Sequence, residues 1–273
     1  MSIDANTYEE LSVINCNEKT AAFAAKVGEY LLETWGILSL KLNADGKEYF
    51  STDDKIEEGT ELFAACRNLK SAREISLTLR SNNNGGAAWR IESSFMGVLD
   101  NDEALSANIT YRSIDYYDQD SCIDMYLYGK GGLTRPDYNS TAEEVDDIES
   151  WYCYTPEFTF TTEETDNEDL HEKVVEAMQK FAGCLIDYDY EDLVDDCFED
   201  GEMYLNGSFS FATESIAEIE SILGGLATEL TEYESTEFSV VINAVPENEN
   251  DYNFAVVSIS VTDGNVKTAY CRF

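Results

Sequence analysis

Six acidic side chains between Glu191 and Asp200 have a spacing that suits electrostatic recognition. They fall at positions i, i+1, i+4, i+5, i+8 and i+9: Glu191, Asp192, Asp195, Asp196, Glu199 and Asp200. On a helix these positions form two adjacent rows along one face, about 15 Å long at a rise of about 1.5 Å per residue. That is roughly one charge per 2.5 Å, against about one per 1.7 Å of axis in duplex DNA. The run therefore predicts a surface that a phosphate-binding groove would accept.

The chain around this run is also acidic. Residues 143–202 contain 22 Asp and Glu against two basic residues, Lys173 and Lys180. Two tyrosines within the run offer interface area with a polar tip. We therefore predict a partner-binding surface formed by Glu143, Glu144, Asp146, Asp147, Glu149, Glu163, Glu164, Asp187, Tyr188, Asp189, Tyr190, Glu191, Asp192, Asp195, Asp196, Glu199 and Asp200. A solvated acidic face without a partner is the alternative interpretation.

Motifs for catalysis or metal binding are incomplete in the sequence. His171 is the only histidine, and the sequence HEKVV that it begins lacks the second histidine of a zinc helix. The run 187–191 alternates acids like the start of a calcium loop, but Asp192 stands where that loop needs glycine, and Phe198 stands where it needs glutamate. Glycines 129, 131 and 132 do not have the spacing of a phosphate-binding loop. We expect no enzyme activity, no cofactor and no metal site.

The net charge of −39 restricts the class of partner. It results from 56 acidic and 17 basic residues, and such a surface repels nucleic acid and anionic membranes and attracts basic proteins. Disorder is disfavoured because hydrophobic residues make up 43% and aromatic residues 12% of the chain, enough for a sizeable core. Adaptation to concentrated salt is disfavoured by the ten lysines against seven arginines and by the seven cysteines.

Cysteine usage and the absence of targeting patterns predict a cytosolic protein. The number of cysteines is odd and no C-x-x-C pair occurs, which is typical of reduced thiols. The first residues lack the basic-then-apolar pattern of a signal peptide, and no apolar stretch approaches the roughly 20 residues needed to span a bilayer.

Apolar periodicity in the first half predicts alternating helices and strands. A helix is expected at 18–35, with Asn17 as N-cap and Gly36 as the end, followed by a hairpin around Asp45 and Gly46. A second helix is expected from about Thr60. Strands are predicted at 75–79, 89–99, 105–114 and 123–128.

The second half has a similar predicted order. A strand is expected at 158–162, a helix at 170–181 that ends at Gly183, a strand at 203–211 and a helix from Thr213. Three alternating segments, 238–244, 254–261 and 266–273, predict a terminal antiparallel meander with a turn at Asp263 and Gly264.

These patterns predict an α+β fold of two tandem units in which helices pack on antiparallel sheets. Corresponding helices begin about 150 residues apart and corresponding strands about 160 apart, so an internal duplication is a hypothesis. The expected units are 1–140 and 151–273, joined by an acidic linker or loop at 141–150.

The combined observations predict a protein that acts by binding. The favoured hypothesis is an acidic mimic of nucleic acid that occupies the basic groove of a nuclease, or of another DNA- or RNA-processing defence enzyme, and excludes its substrate. Phage and plasmid proteins of the anti-restriction and anti-CRISPR type offer an analogy of composition. An immunity protein for a nuclease toxin is the alternative within this class, and a carboxylate-based, metal-assisted hydrolase is the alternative in another. The expected partner is a basic nucleic-acid-binding protein, with no direct binding of nucleic acid or membrane, and homo-oligomers are left open.

Overall fold

The described part of the chain is mixed α+β, with two large antiparallel sheets and a short two-stranded pair. A computed structural model describes residues 4–84, 103–117, 122–129, 132–162, 167–186, 198–199, 202–203, 210–233, 236–247, 254–262 and 264–272. Two compact units divide the chain, unit 1 at Met1–Pro136 and unit 2 at Asp137–Arg272. No helix among the described residues is both long and apolar enough to cross a bilayer.

Unit 1 contains a seven-stranded sheet whose neighbouring strands are all antiparallel. Its elements are β1 (Asp4–Ile14), α1 (Glu18–Glu33), β2 (Ile37–Ala44), β3 (Lys47–Ser51), α2 (Glu61–Asn68), a 3₁₀ turn (Leu69–Ser71), β4 (Glu74–Asn84), α3 (Glu103–Ser106), β5 (Ile109–Tyr117), β6 (Cys122–Gly129) and β7 (Gly132–Thr134). The strand order is β3-β2-β4-β1-β5-β6-β7.

Local side-chain chemistry fixes the ends of α1. The side chain of Asn17 accepts hydrogen bonds from the backbone amides of Lys19 and Thr20, and Oγ1 of Thr20 accepts one from the backbone amide of Asn17, so the predicted N-cap is confirmed. The helix ends at Glu33, two residues earlier than predicted. Gly36 has φ +69° and lies so close to strand β4 that a Cβ atom would be 1.7 Å from the carbonyl oxygen of Asn82. Only glycine fits there.

The predicted hairpin β2–β3 is confirmed. Asp45 and Gly46 both have positive φ, 53° and 81°, as tight two-residue hairpin turns require. Oδ1 of Asp45 accepts hydrogen bonds from the amides of Arg73 and Glu74 at 2.7 and 3.0 Å, which ties the turn to the start of β4.

The core of unit 1 is formed by one face of the sheet together with the apolar face of α1. Leu11, Leu40 and Leu79 on the strands and Phe23 and Leu31 on the helix are at most 2% exposed and belong to one cluster. Burying each apolar side chain of this size stabilises the folded state by about 1.5–3 kcal/mol relative to leaving it exposed.

Unit 2 contains a six-stranded antiparallel sheet and a separate two-stranded pair. Its elements are a 3₁₀ turn (Ala142–Val145), β8 (Trp151–Thr162), α4 (Glu168–Ala182), β9 (Leu185–Ile186), β10 (Phe198–Glu199), β11 (Glu202–Met203), β12 (Phe211–Thr213), α5 (Ile216–Leu230), β13 (Thr236–Pro246), β14 (Ala255–Thr262) and β15 (Asn265–Arg272). The larger sheet has the order β15-β14-β13-β8-β12-β9, and β10 pairs with β11.

Residues 141–150 are part of unit 2 and are not a free linker. Val145 and Ile148 are 5% and 9% exposed and belong to its core cluster. Ser140 forms a bridge to Tyr270 of β15, and the guanidinium of Arg272 binds the carboxylate of Asp147. The break between units therefore falls at Pro136 and Asp137.

Several predicted elements have different bounds in the structure. Leu105 lies in α3, not in a strand, and β5 begins at Ile109. Thr213 ends β12, so the helix predicted to begin there starts at Ile216 with Ser215 as its N-cap. Of the strand predicted at 203–211, only the ends are described, and they belong to the separate strands β11 and β12. The strand predicted at 89–99 lies outside the described residues, and β1 was not predicted.

Six strands occupy the same order in the two units. Read from β7, the sheet of unit 1 is β7-β6-β5-β1-β4-β2 with β3 added at its end, and that of unit 2 is β15-β14-β13-β8-β12-β9. In each sheet the first strand is internal. The strand that follows the first helix lies on one side of it, two places away, and the last three strands form a meander on the other side. The correspondence differs from the predicted one, because α2 precedes β4 whereas α5 follows β12.

Candidate functional site

Helices α4 and α5 of unit 2 lie side by side and antiparallel. At one end, the phenol of Tyr233, just after α5, donates a hydrogen bond to the carboxylate of Asp169 in the first turn of α4. At the other end, Sγ of Cys184, just after α4, lies 3.7 Å from Oε2 of Glu218 in the first turn of α5. Contacts at both ends hold the helices as a pair.

The apolar stripes of both helices are buried in the core of unit 2. The buried residues are Leu170, Val174, Ala177, Met178, Phe181 and Ala182 on α4, and Ile216, Ile219, Leu223, Leu226, Ala227 and Leu230 on α5. Because a helix with one buried stripe exposes the opposite face, the polar side chains of the pair face solvent.

The exposed side chains of this pair are strongly acidic. We call them the acidic helix surface, which comprises Glu168, Asp169, Glu172, Glu176, Glu214, Glu218, Glu220, Glu229 and Glu232. Glu220 is half-buried and the other eight are exposed. The same segments carry two bases, Lys173 and Lys180. With nine acids and two bases, the net charge of these segments is −7.

Lys173 is engaged by the acidic helix surface itself. Its ammonium lies 4.0 Å from Oδ2 of Asp169 and 5.2 Å from the centre of the Tyr233 ring. Hydrogen bonding to Tyr233 and the nearby charges of Asp169 and Glu229 raise the pKa of Lys173, so it remains a cation. The positive charge of Lys173, one of the two bases, is therefore partly offset by the neighbouring carboxylates.

The predicted acids at 143–149 are exposed, but two of them have structural roles. Oε2 of Glu144 accepts a hydrogen bond of 2.7 Å from the amide of Thr141 and closes a capping box. The guanidinium of Arg272 binds both oxygens of Asp147 and holds the pKa of that carboxyl below its ordinary value. Glu143, Asp146 and Glu149 are exposed, and they remain available to a partner.

Most of the remaining predicted contact residues lie outside the described residues. They are Glu163, Glu164, Asp187, Tyr188, Asp189, Tyr190, Glu191, Asp192, Asp195, Asp196 and Asp200. Glu199 is described, and it lies in strand β10, paired with Glu202 of β11. The predicted helix with two acidic rows therefore does not extend to Glu199.

None of the nine residues of the acidic helix surface is among the predicted contact residues. A sequence signal for it exists, because Glu168, Glu172 and Glu176 recur every fourth residue and lie opposite the apolar stripe of α4. The local density of acidic residues is higher at 187–200, which favours that segment when the sequence alone is considered.

Charge differs strongly between the two units. Unit 1 has 22 acidic and 13 basic residues, whereas Asp137–Arg272 has 34 acidic and four basic. Unit 2 thus carries −30 of the net charge of −39. Helix α1 of unit 1 is mixed, with Glu18, Glu29 and Glu33 against Lys19 and Lys26.

Separately from this surface, a cluster of titratable side chains is buried in unit 1. Glu9 on β1 and Asp115 on β5 are 1% and 3% exposed. The phenol of Tyr111 donates a hydrogen bond of 2.7 Å to Oε1 of Glu9, and that of Tyr30 a longer one of 3.5 Å to Oε2. Burial raises the pKa of Glu9 from 4.5 to about 8, the tyrosine hydrogen bonds oppose the shift, and the charge of Asp115 adds to it.

This buried carboxyl pair does not resemble an open hydrolase site. Both side chains are almost fully inaccessible, so a substrate does not reach them in this conformation. Within the described part of the chain, no group of three or more His, Cys, Asp or Glu side chains is arranged to hold a metal ion.

Comparison with known proteins gives no relative. No protein-family model, no curated protein and no solved structure matches this chain.

Proposed function

We propose that this protein binds the cationic nucleic-acid groove of a nuclease or another DNA- or RNA-processing enzyme and excludes its substrate. The acidic helix surface of unit 2 is the contact face. The proposed partner is cytosolic, and the protein acts stoichiometrically, without catalysis.

The observation that carries the proposal is the density of exposed carboxylates on the acidic helix surface. From Glu214 to Glu232 the second helix and its flanking residues extend over about 27 Å, so the nine carboxylates along the pair give roughly one per 3 Å. Duplex DNA presents about one charge per 1.7 Å of axis. A groove lined with lysine and arginine for phosphates would therefore meet a charge density within about a factor of two of that of duplex DNA.

The energetic cost of this arrangement also supports a binding role. Like charges at i and i+4 destabilise a helix by about 0.2–0.5 kcal/mol per pair, and Glu168, Glu172 and Glu176 form two such pairs. A surface selected for solubility alone would mix both signs of charge. The partner's cations would relieve this repulsion in the complex.

We further infer that the two units derive from one ancestral unit by tandem duplication, each with helices packed on an antiparallel sheet. The shared order of six strands supports this inference. In this interpretation, only the second copy, unit 2, has acquired the binding surface.

The test is a displacement assay with a pair of matched variants. Fluorescently labelled duplex DNA or RNA is bound to each member of a panel of purified restriction, CRISPR and toxin nucleases, and its release by the protein is followed by anisotropy. The first variant, Glu168→Gln with Glu172→Gln and Glu176→Gln, removes three charges from the acidic helix surface. The control, Glu18→Gln with Glu29→Gln and Glu33→Gln, removes three from α1, so both variants have the same net charge.

We expect displacement from at least one nuclease, weakening as salt rises, with the α4 variant about tenfold or more weaker and the α1 control nearly unchanged. Displacement from a single cognate toxin nuclease and no other would identify an immunity protein. No displacement from any nuclease at low salt, or equal losses in both variants, would overturn the proposal.

A further inference from the structure

The face of the unit 1 sheet opposite its core is an open, polar groove. Along β1, Leu11 and Val13 face the core while Glu10 and Ser12 alternate to the other side. The groove has a volume of about 590 Å³ and crosses β3, β2, β4, β1, β5 and β6. This volume lies within the range of about 300–1,000 Å³ typical of small-molecule sites.

Strand register places six side chains in one line across this groove. Phe50 pairs with Lys41, Lys41 with Thr78, Thr78 with Glu10, Glu10 with Arg112, and Arg112 with Leu127. At about 4.8 Å between neighbouring strands, the row extends over about 24 Å. The row offers an elongated track.

The charges of the groove cancel. The guanidinium of Arg112 binds the carboxylate of Glu10 through both Nε and a terminal nitrogen. The other two charged lining residues are Lys41 and Glu48, both exposed and of opposite sign. A neutral lining in a chain of net charge −39 does not select for an ionic ligand.

Small hydroxyl and amide groups form the rest of the polar lining. Ser12, Ser76, Thr78 and Thr110 present hydroxyls, and Asn43 presents an amide whose Oδ1 accepts a bond from Gly46. Each hydroxyl can both donate and accept a hydrogen bond, as can each hydroxyl of a sugar. The lining is therefore complementary to a polyhydroxylated ligand.

An exposed aromatic ring stands at one end of the row. Phe50 is 69% exposed on β3, next to Lys41 and on the same side of the sheet. A phenyl ring left in water on a β-strand offers a flat apolar face, which suits the C–H face of a sugar ring.

We propose that this groove binds a neutral oligosaccharide, with Phe50 stacking on one ring and the hydroxyl-lined floor bonding to the others. The site is in unit 1 and does not depend on the function proposed for unit 2.

The experiment uses the full chain and a panel of neutral probes: cellohexaose, maltohexaose, xylohexaose, mannohexaose and chitohexaose, measured by isothermal titration calorimetry. Phe50→Ala tests the stacking platform and Thr78→Val tests the floor without changing side-chain volume. Trp35→Ala is the matched control, since Trp35 is also an exposed aromatic of unit 1, at 60%, but it precedes β2, lies under Lys55 and is not in register with the row that Phe50 ends.

We expect at least one probe to bind, Phe50→Ala to weaken it about tenfold or more, Thr78→Val to weaken it by a smaller factor, and Trp35→Ala to leave it unchanged. Circular dichroism confirms that each variant is folded. Absence of binding to all five probes, equal losses in Phe50→Ala and Trp35→Ala, or tighter binding of inorganic phosphate or of a lysine-rich peptide than of any sugar would each overturn the proposal.

Discussion

Tyr111 on β5 and Glu9 on β1 are joined by a hydrogen bond of 2.7 Å inside the core of unit 1, 102 residues apart in the chain. The bond lies between two strands that are neighbours in the sheet, and Tyr30 of α1 approaches the same carboxyl from the helix. A titratable group therefore connects α1, β1 and β5 at a point where water is excluded.

The stability of unit 1 should fall as pH rises toward 8. The pKa of Glu9 is raised to about 8 in the fold, above its ordinary value of 4.5, so the folded state holds a proton that the unfolded state releases. The resulting stabilisation is complete below about pH 4.5, declines between there and pH 8, and is lost above.

Glu9→Gln should remove this pH dependence while keeping an acceptor for Tyr111. Hydrogen exchange of the β1 and β5 amides, followed across this pH range, measures the effect locally. Glu29→Gln, on the exposed side of α1, is the control and should leave the profile as in the wild type. An unchanged profile in Glu9→Gln would show that another group is responsible.

Removing charge from α4 should stabilise unit 2. Glu172 lies four residues from both Glu168 and Glu176, so Glu172→Gln removes two like-charge pairs and should raise the free energy of unfolding by about 0.4–1 kcal/mol at low salt. Urea denaturation at low and high ionic strength measures it, and the gain should shrink in high salt because screening weakens the repulsion.

Glu61→Gln on α2 should instead lower the free energy of unfolding, because the carboxylate of Glu61 is paired with the ammonium of Lys47 at 2.8 Å. If both variants shift stability in the same direction, charge repulsion along α4 is not the cause.

Adjacent glycines in α5 should respond differently to alanine. A Cβ on Gly225 would have no neighbour within 4 Å, whereas one on Gly224 would lie 2.6 Å from Cγ2 of Val266 on β15. Gly225→Ala should stabilise by about 0.5–1 kcal/mol through helix propensity. Gly224→Ala should lose that gain or destabilise, since the side chain of Val266 must shift to make room for the new methyl group.

Thermal unfolding of the two alanine variants tests this contact between helix and strand. Equal stabilisation by both would mean that Val266 moves aside without cost.

Breaking the bond between Arg272 and Asp147 should loosen residues 141–150. Arg272→Lys keeps the charge but loses the two-pronged contact, and it also loses the bond of 2.6 Å from Arg272 to the carbonyl of Glu144. Hydrogen exchange at Ala142–Val145 should accelerate. Asp147→Asn should have a similar effect, and the double variant should be little worse than either one; additive effects would contradict a shared contact.

Elements defined by local chemistry could be predicted from the sequence. The cap at Asn17, the start of α2 just after Thr60 and the turn at Asp45 and Gly46 depend on neighbours within a few residues, and all lie at or next to the predicted positions. Strand β1 was not predicted because Thr7 and Glu9 are polar residues on its buried face, where a half-buried strand ordinarily has apolar residues.

The sequence predicts the sign of the candidate surface and carries a signal for its α4 part, but not its pairing with α5. Acidity is visible in composition, but the choice among acids depends on which helix faces are covered, and that is set by the packing of α4 against α5. Asp147 shows the difficulty, since its partner Arg272 lies 125 residues away in the sequence.

The matching strand order has a practical corollary for engineering. Helices α1 and α4 each connect the first strand of a unit to the strand at the same place in the strand order of its sheet. Transplanting the outer residues of α4 onto α1 would tell whether the proposed recognition can be transferred between the two halves or requires the native helix pair.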